Sequence, residues 1–405
     1  MYYLGIDVSK ASSRVVILND NGEKHAKPFS IENDKSGFQT LLEQLKTLNI
    51  SKNDCLAGIE ATGIWWENLF CFLTENGFNI ILLNPHQTNK FREALRKKAK
   101  TDDIDAYVIA GLLRSKEHAS CYVPQESIQS LREFTKLRFE LAKDLKNYQR
   151  QAYSLLALVF PEYEKTAIKN PFSIASMAIL KEFPTAKDLA TASVNRIEKI
   201  ARHIKGNNLN TDEINKLIQT AKDSIFSGKA KDARGLSLKT ILSLIEHIEL
   251  AVKELEANIL AILKGNDNDS DDFPGGNLLT IPGIAEKTVA NIIQATGEHG
   301  QVFPTTTKFI GHIGFFPQIY QSGESKTANK ISNRGPKILR WTFYMAAVSC
   351  IRHNRQMKEL FNKKVSQGKS KKQALIYVAK KLAALCLSML KSGLPYSPER
   401  VFVAA

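Results

Sequence analysis

The stretch that decides the fold of this chain is Tyr2–Val8 (YYLGIDV), a short apolar run that carries a carboxylate, Asp7, near its end. Two more runs of strand-like composition follow at Arg14–Leu18 and Lys27–Glu32. Between them, Asn19-Asp20-Asn21-Gly22 has the composition of a tight hairpin turn. The opening of the chain is therefore predicted to be a meander of three strands.

Helical and strand-like segments alternate after the meander. Apolar residues between 38 and 48 have helical spacing, and buried strands are predicted at Cys55–Glu60 and Asn79–Leu83. Further helices are predicted at Trp65–Glu75 and from about Thr88. Three meandering strands followed by such units predict a mixed α/β sheet covered by helices, with the first and fourth strands as neighbours.

Two long segments have the spacing of coiled-coil helices. Apolar residues recur every three or four positions from Leu131 to Val159, and in a strict 3,4 alternation from Leu238 to Ile262. Two alternatives stay open, because the segments can pair with each other or each with a copy of itself. The region between them, 160–234, is predicted to hold short helices and loops.

The segment Gly265–Gly276 (GNDNDSDDFPGG) is acidic, rich in Asn and Gly, and is interpreted as a linker. After it, LTIPGI (279–284) leads into a predicted helix, Lys287–Ala295. A turn of this shape holds phosphate in helix-hairpin-helix proteins, but it is more often a simple interhelix turn. The predicted divisions are an α/β domain at 1–125, a helical coiled-coil region at 126–264, a linker at 265–276 and a mainly helical domain at 277–405.

The charge of the chain favours a polyanionic partner. Its 405 residues include 56 Lys and Arg against 41 Asp and Glu, a net charge of +15. The segment Gly323–Lys381 has fifteen basic residues and two acids, and a second basic cluster spans Lys90–Lys100. A solvated helix face is the alternative for either cluster. The candidate contacts to nucleic-acid phosphates are Lys100, Lys326, Arg334, Lys337, Arg340, Lys363, Lys364, Lys371 and Lys372.

Several classes of protein are disfavoured by composition. No apolar run approaches the roughly 18 to 20 residues needed to span a bilayer, and the start lacks the pattern of a signal peptide. The five cysteines are far apart and form no CxxC pair, so neither a zinc site nor a disulfide framework is expected. A cytoplasmic protein without a membrane partner is the expectation, associated with the nucleoid when bound to DNA.

Four carboxylates in the α/β part form the candidate site. Asp7 and Glu60 end strands that are predicted to be neighbours, and Asp102 and Asp105 share one helix face by their i,i+3 spacing. Asp103, between the last two, is expected to face away. Converging carboxylates repel unless a divalent cation lies between them, and oxygen ligands suit Mg²⁺ or Mn²⁺. Taken singly, each acid has an ordinary alternative as a strand end or a helix cap.

The segments GIDVSK (5–10), GIEATG (58–63) and KTDDIDA (100–106) resemble the signatures of the DEDD transposases of the insertion sequence 110 family. In the carboxyl-terminal half, LTIPGI, FIGHIGFFPQIYQSG and ISNRGPKILRWTFYMAA resemble the same family, so the likeness covers nearly the whole chain. The resemblance implies an RNase H-like (RuvC-like) amino-terminal domain in a bacterial recombinase. It also implies that Asp7, Glu60, Asp102 and Asp105 are catalytic and bind Mg²⁺ or Mn²⁺.

The same resemblance implies a serine nucleophile at Ser322 and a structured noncoding guide (bridge) RNA that pairs with target and donor DNA. By residue chemistry alone, Ser325 and Ser332 are rivals of Ser322, and no histidine follows closely enough to indicate a Ser-His-Asp triad. The leading hypothesis is an RNA-guided, site-specific recombinase. It would act on double-stranded DNA through a phosphoserine intermediate, as a dimer or tetramer.

Three other readings of the sequence stay open. The first is a metal-dependent, junction-resolving nuclease that uses only the four carboxylates and water. The second is an ATP-binding protein of the actin type, suggested by Gly-Ile-Asp at the end of the first strand, although a second Gly-rich phosphate loop is lacking. The third is a nucleic-acid-binding protein without catalysis, in which the basic segments carry the whole function.

Overall fold

The structure of this chain is a computed structural model that divides into two compact units, Met1–Val123 and Pro124–Ala405. For residues 320–322 and 325–327 it describes the backbone alone. The described residues are 1–95, 101–166, 168–202, 204, 209–264, 275–316, 320–322, 325–327 and 335–399. Most of the predicted linker, 265–274, lies outside them, so the finer division of the second unit stays a prediction.

The first unit is built on a five-stranded mixed sheet of order β3-β2-β1-β4-β5. The central strand β1 runs antiparallel to β2 and parallel to β4. The predicted meander is confirmed, and so is the neighbouring position of the first and fourth strands. The strands are β1 (Tyr2–Val8), β2 (Ser12–Leu18), β3 (Phe29–Glu32), β4 (Cys55–Glu60) and β5 (Asn79–Leu83).

Four helices cover this sheet: α1 (Lys35–Thr47), α2 (Trp66–Glu75), α3 (Pro85–Ala94) and α4 (Asp102–Ser115). Side-chain caps fix where three of them begin, because the first amides of a helix lack partners within it. The side chains of Asp34, Asn84 and Thr101 accept hydrogen bonds from the first turns of α1, α3 and α4. The helix predicted from about Thr88 therefore begins one turn earlier, with Pro85 in its first turn.

Alternation along β1 gives the sheet two different faces. Leu4 and Ile6 pack with α1 and α2, whereas Tyr3 packs with α4. Gly5 lies on the α4 face, where an added Cβ atom would stand 2.1 Å from the carbonyl oxygen of Ala106. Helix α4 therefore lies directly on the backbone of β1.

The second unit is mainly helical. Its helices are α5 (Glu126–Val159), α6 (Ile174–Glu182), α7 (Ala186–Ala190), α8 (Val194–Arg202), α9 (Thr211–Lys222), α10 (Lys231–Lys264), α11 (Glu286–Thr296), α12 (Thr306–Ile313), α13 (Lys337–His353), α14 (Arg355–Ser366) and α15 (Lys371–Ser392). The strands β6 (Tyr320–Ser322) and β7 (Ser325–Thr327) pair as a short antiparallel ribbon. The short helices predicted between the two long ones are confirmed.

The long helices α5 and α10 pack against each other as an antiparallel pair. The start of α5, at Leu131, shares a core with the end of α10, at Leu263. The end of α5, at Leu156, shares a second core with the start of α10, at Leu238. Of the two alternatives for the apolar repeats, pairing within one chain is the arrangement observed.

Between these two cores lies a stretch that we call the two-helix span, residues 136–151 of α5 and 246–254 of α10. No residue of the span is fully buried, although buried residues flank it on both helices. Leu250 is 59% exposed. Other helices reach the span only in part: Phe139 lies against Trp341 of α13, and Glu246 pairs with Lys181 of α6. Elsewhere the two helices do not fully cover each other's apolar faces, so the repeat is only half-buried.

Helix α15 is long and apolar enough to cross a membrane by length and composition, which the sequence analysis did not anticipate. An 18-residue window of it has a mean hydropathy of 1.4, but 61% of that window is buried inside the protein. Val378, Leu382 and Cys386 lie in the core that α15 shares with α11 and α13. Its apolar composition is that of a core helix.

Candidate active site

Asp7 and Glu60 lie at the carboxyl ends of adjacent parallel strands. The last aligned pair between β1 and β4 is Ile6 with Ile59, so Asp7 and Glu60 occupy the next register position. Alternation places Asp7 on the face of Gly5, which is the α4 face. Glu60 shares that face with Gly58, where an added Cβ atom would stand 2.8 Å from a methyl group of Leu113 on α4.

Helix α4 brings its amino terminus to this edge of the sheet. Near its carboxyl end, Arg114 donates to the Asp20 carbonyl at 3.3 Å, and Asp20 in turn accepts from the Met1 amino group at the opposite end of β1. At its amino end, Asp103 pairs with Arg14, the β2 residue aligned with Asp7. Helix α4 thus runs antiparallel to β1, and its first turn reaches the Asp7 end.

The Glu60 carboxylate is held by two hydroxyl groups. Thr88 on α3 is fully buried, and its Oγ1 donates to Glu60 Oε2 at 2.6 Å. Thr62, two residues after Glu60, donates to the other carboxylate oxygen. Hydrogen bonds to both oxygens fix the orientation of the carboxylate, as outer partners do for metal ligands.

Asp105 is buried and forms an ion pair with Arg92 of α3. The side chains are 11% and 17% exposed, which makes this the least exposed ion pair among the described residues. Thr88 and Arg92 are four residues apart and therefore share one face of α3. That face contacts two of the four candidate acids.

Asp102 is exposed at the first position of α4. The positive end of the helix dipole favours carboxylates there. Asp103 faces away from Asp105, as expected: it contacts Arg14 of β2, whereas Asp105 contacts Arg92 of α3. The hydrogen bond and charge of Arg14 hold the pKa of Asp103 below its usual range. Asp103 is therefore a poor neutral reference for substitutions at the other acids.

The donor chemistry of this edge suits a hard cation, because all its candidate ligands are carboxylate oxygens. Within the described ranges, however, no group of three or more His, Cys, Asp or Glu side chains is close enough to hold a metal ion. Glu60 points to Thr88 and Asp105 to Arg92, so a guanidinium stands beside Asp105. The backbone brings the acids to one edge, and the metal-ligand roles stay a prediction.

Ser322 is the last residue of β6 and is aligned with Ser325 of β7. The two rival serines therefore occupy opposite positions in the backbone register of the ribbon. Gly323 and Ser332 lie outside the described residues. The backbone of the ribbon does not discriminate between Ser322 and Ser325 as the nucleophile, and the choice stays a prediction.

The candidate phosphate contacts have different surroundings. Lys337, Lys363, Lys371 and Lys372 are exposed, whereas Lys364 lies over the Tyr377 ring, 4.8 Å from its centroid. Arg340 is half-buried and donates to the Ile313 carbonyl at 3.4 Å, so part of its guanidinium is used within the protein. Lys100 and Arg334 lie outside the described residues, and only the backbone of Lys326 is described.

Of the second basic cluster, Lys90–Lys100, the basic residues Lys90 and Arg92 lie within the described part of the chain. Arg92 points inward to Asp105, and Lys90 pairs with Glu93 at 2.6 Å. Sequence reasoning missed Thr88 altogether and grouped Arg92 with the surface cations. The sequence pattern that could have indicated them is the four-residue spacing of Thr88 and Arg92 on α3, the helix that directly follows β5 beside β4.

Comparison with known proteins gives the family. The profile of DEDD transposases of the IS110 type matches residues 4–161, which contain the four candidate acids. The profile of the transposase IS116/IS110/IS902 family matches residues 276–362, which contain Ser322. The chain belongs to the IS110/IS116 family of transposases. By enzyme class, this IS110-family protein is a DNA transposase or recombinase.

Relatives of this IS110-family transposase include proteins that match almost its whole length and one that matches a part of it. The insertion element IS116 uncharacterized 44.8 kDa protein of Streptomyces clavuligerus is 22% identical over 98% of this chain and 96% of its own. The pilin gene-inverting protein of Moraxella bovis is 21% identical over 97% of each chain. The transposase for insertion sequence element IS1533 of Leptospira borgpetersenii is 31% identical over 157 residues, 38% of this chain and 43% of its own.

Proposed function

We propose that this transposase cleaves and rejoins DNA at the sheet edge where Asp7, Glu60 and the first turn of α4 meet. The observation that carries the proposal is the register of β1 and β4, which puts Asp7 and Glu60 side by side on the face covered by α4. Neighbouring carboxylates at the ends of parallel strands suit phosphodiester chemistry. The sheet order 3-2-1-4-5 with acids at these two strand ends is compatible with an RNase H-like domain.

Asp7, Glu60, Asp102 and Asp105 would hold Mg²⁺ or Mn²⁺. The bound ion would supply charge stabilisation of the phosphate under attack. Thr88 and Thr62 keep the Glu60 carboxylate in one orientation, which reduces the reorganisation needed when a ligand binds. The carboxylates in the first turn of α4 repel a phosphate group, so its binding at this edge would depend on the ion.

Ser322 is the proposed nucleophile. A serine ester of DNA keeps the energy of the phosphodiester, so the strands can be rejoined without a high-energy cofactor. A recombinase must rejoin the strands that it cleaves. The Moraxella bovis relative is named for the inversion of a gene, a reaction in which strands are rejoined. Ser322 is followed in sequence by Gly323, a residue without a side chain, which suits the close approach of a phosphate.

The proposed partners are double-stranded donor and target DNA, a structured noncoding guide RNA and further copies of the chain. The exposed lysines of α14 and α15 would bind the phosphate groups of the nucleic acid, which gives affinity without sequence preference. The half-buried apolar seam of the two-helix span is the proposed contact between copies, as a dimer or tetramer. Binding to DNA would place the protein at the nucleoid.

The deciding experiment traps the covalent intermediate with a DNA substrate that carries both element ends. We expect an adduct that survives denaturation and maps to Ser322, and that is lost in Ser322→Ala but kept in Ser325→Ala. Cleavage that persists in Ser322→Ala without an adduct would support the junction-resolving nuclease instead.

The carboxylates are tested in the same assay. Asp7→Asn, Glu60→Gln and Asp105→Asn should each abolish adduct formation, with Glu43→Gln on the exposed side of α1 as the control. Retained adduct in all three variants would show that the sheet edge is not the catalytic centre.

A further inference from the structure

Arg92 is the one basic side chain that the described structure aims at the candidate acids from α3. Its guanidinium pairs with Asp105, and the two side chains are 17% and 11% exposed. A buried carboxylate is costly unless a positive charge accompanies it. The pair therefore allows the first turn of α4 to pack at the sheet edge while no other cation is present.

The guanidinium is held mainly by charge and less by a complete set of hydrogen bonds. Its Nε atom is buried and has no hydrogen-bond partner among the described residues. A fully matched arginine uses its donors as a rigid fork, and this one does not. An incompletely bonded cation is one that a competing cation can displace.

The same face of α3 serves Glu60. Thr88, one turn before Arg92, holds the Glu60 carboxylate, so Arg92 reaches Asp105 from the element that orients its partner acid. A divalent ion that binds Glu60 and Asp105 together would meet the guanidinium at close range. Like charges at that distance repel, so both cannot occupy the site.

We propose that Arg92 is a resident counter-cation that competes with the divalent metal for Asp105. In the metal-free protein it neutralises Asp105, and metal binding requires its guanidinium to leave. The inference rests on the proposed function, because it takes Asp105 as a metal ligand. Arg92 is a positioning residue, and it makes loading of the site depend on metal concentration.

Two opposite effects of Arg92→Gln follow. Without metal, the variant loses the charge partner of a buried carboxylate and should unfold at a lower temperature. With metal, the competitor is gone and affinity should rise. The increase in Tm on adding metal should therefore be larger in Arg92→Gln than in the wild type.

The experiment measures Mn²⁺ binding to the full chain by titration calorimetry and Tm with and without Mn²⁺, in both cases without DNA. We expect the Mn²⁺ Kd of Arg92→Gln to fall by about fivefold or more, the lower end of common coupling between two sites. The matched control is Arg114→Gln, which removes the same charge near the other end of α4, about 13 Å from Asp105 along the helix. It should leave the Kd unchanged.

The outcomes separate two failures. If the wild type binds no Mn²⁺, or Asp105→Asn binds it unchanged, the proposed metal site fails, and the inference fails with it. If Asp105→Asn loses binding but Arg92→Gln has an unchanged or higher Kd, the inference alone is overturned. Should Arg92→Gln not fold, the double variant Arg92→Gln with Asp105→Asn should fold, because it removes both charges of the pair. Arg92→Met, which keeps most of the side-chain volume without the charge, should then show a lower Kd than the wild type; failure of both overturns the inference.

Discussion

At the scale of single residues, Gly5 sets the distance between the sheet and α4. A Cβ atom there would stand 2.1 Å from the Ala106 carbonyl oxygen and 2.5 Å from the Ala110 nitrogen, both backbone atoms of α4. Gly5→Ala should therefore push the helix outward and destabilise the protein by about 1–3 kcal/mol, as overpacking does. Urea unfolding measures this, and adduct formation should fall as well because Asp105 moves with the helix.

Gly311 on α12 provides the matched control. An added Cβ atom at Gly311 meets nothing within 4 Å, and its backbone is helical. Gly311→Ala should stabilise the protein by roughly 0.5–1 kcal/mol, since alanine loses less conformational freedom in a helix. Equal destabilisation by both substitutions would mean that the contact of Gly5 with α4 is not the cause.

His312 is expected to make the stability of the protein depend on pH. Desolvation lowers the pKa of His312, an exposed residue of α12 whose ring lies 5.0 Å from the Phe303 ring between centroids. Its pKa is thus lower in the folded than in the unfolded protein, so the unfolded state takes up the proton first as pH falls. Stability should drop as pH falls from about 6.5, the usual pKa of histidine, through the lower folded pKa.

The measurement compares urea midpoints at pH 8 and pH 5.5 for the wild type and His312→Phe. The variant should lose less stability over this interval than the wild type. His247, which is exposed on α10, is the control, and His247→Phe should keep the wild-type pH dependence. If His312→Phe keeps the wild-type dependence of stability on pH, the lowered pKa of His312 is refuted.

Local sequence patterns predicted the strands and helices that depend on local chemistry. The predicted bounds of β1, β4 and β5 agree with the structure, and strand order followed from the meander and crossover pattern. The contacts of Thr88 and Arg92 were not predictable, because they depend on how α3 packs beside β4 and α4. The apolar stretch of α15 is, by contrast, visible in the sequence, because eight of the nine residues from Leu382 to Leu390 are apolar; its burial depends on the packing of the other helices.

At the scale of elements, the two-helix span is the proposed contact between copies of the chain. Ile245 is fully buried in its own chain, so a charge there would unfold the protein without testing contact between copies. Ile248 and Val252 belong to the same repeat, are four residues apart and are only half-buried. Ile248→Glu with Val252→Glu should keep the fold and raise the dissociation constant of the oligomer by about tenfold or more, roughly 1.4 kcal/mol.

Sedimentation at several protein concentrations measures this change. Leu250→Glu is the control, because Leu250 is already 59% exposed and lies on another side of α10. A smaller species in Leu250→Glu alone would place the contact on that other side. An unchanged mass in both variants would show that the span does not join copies.

At the scale of the whole molecule, the basic excess of the second unit should control nucleic-acid affinity. Lys363, Lys371 and Lys372 are exposed on α14 and α15. Changing all three to Gln should weaken binding across DNA sequences and reduce the salt slope by up to about 2.7, at about 0.9 per lost phosphate contact. Binding is measured between 50 and 200 mM salt, the range over which such contacts respond strongly.

Three lysines on α9 and in the segment that follows it serve as the control for this charge change. Lys216, Lys222 and Lys229 are also exposed, but they lie outside the strongly basic segment. Their triple change to Gln should leave the salt slope unchanged. A change in sequence preference without a change in slope would contradict a role in backbone binding for α14 and α15.

The two-helix span also has a mechanical consequence. Over about 14 Å, the length of its α10 part, the span consists mainly of two helices with a half-buried apolar seam between the two packed cores. A rod of smaller cross-section and fewer buried contacts is more compliant than the blocks that it joins, so a load applied to the two ends bends the rod first. Bending of the span would change the angle between the two cores while each core keeps its own packing.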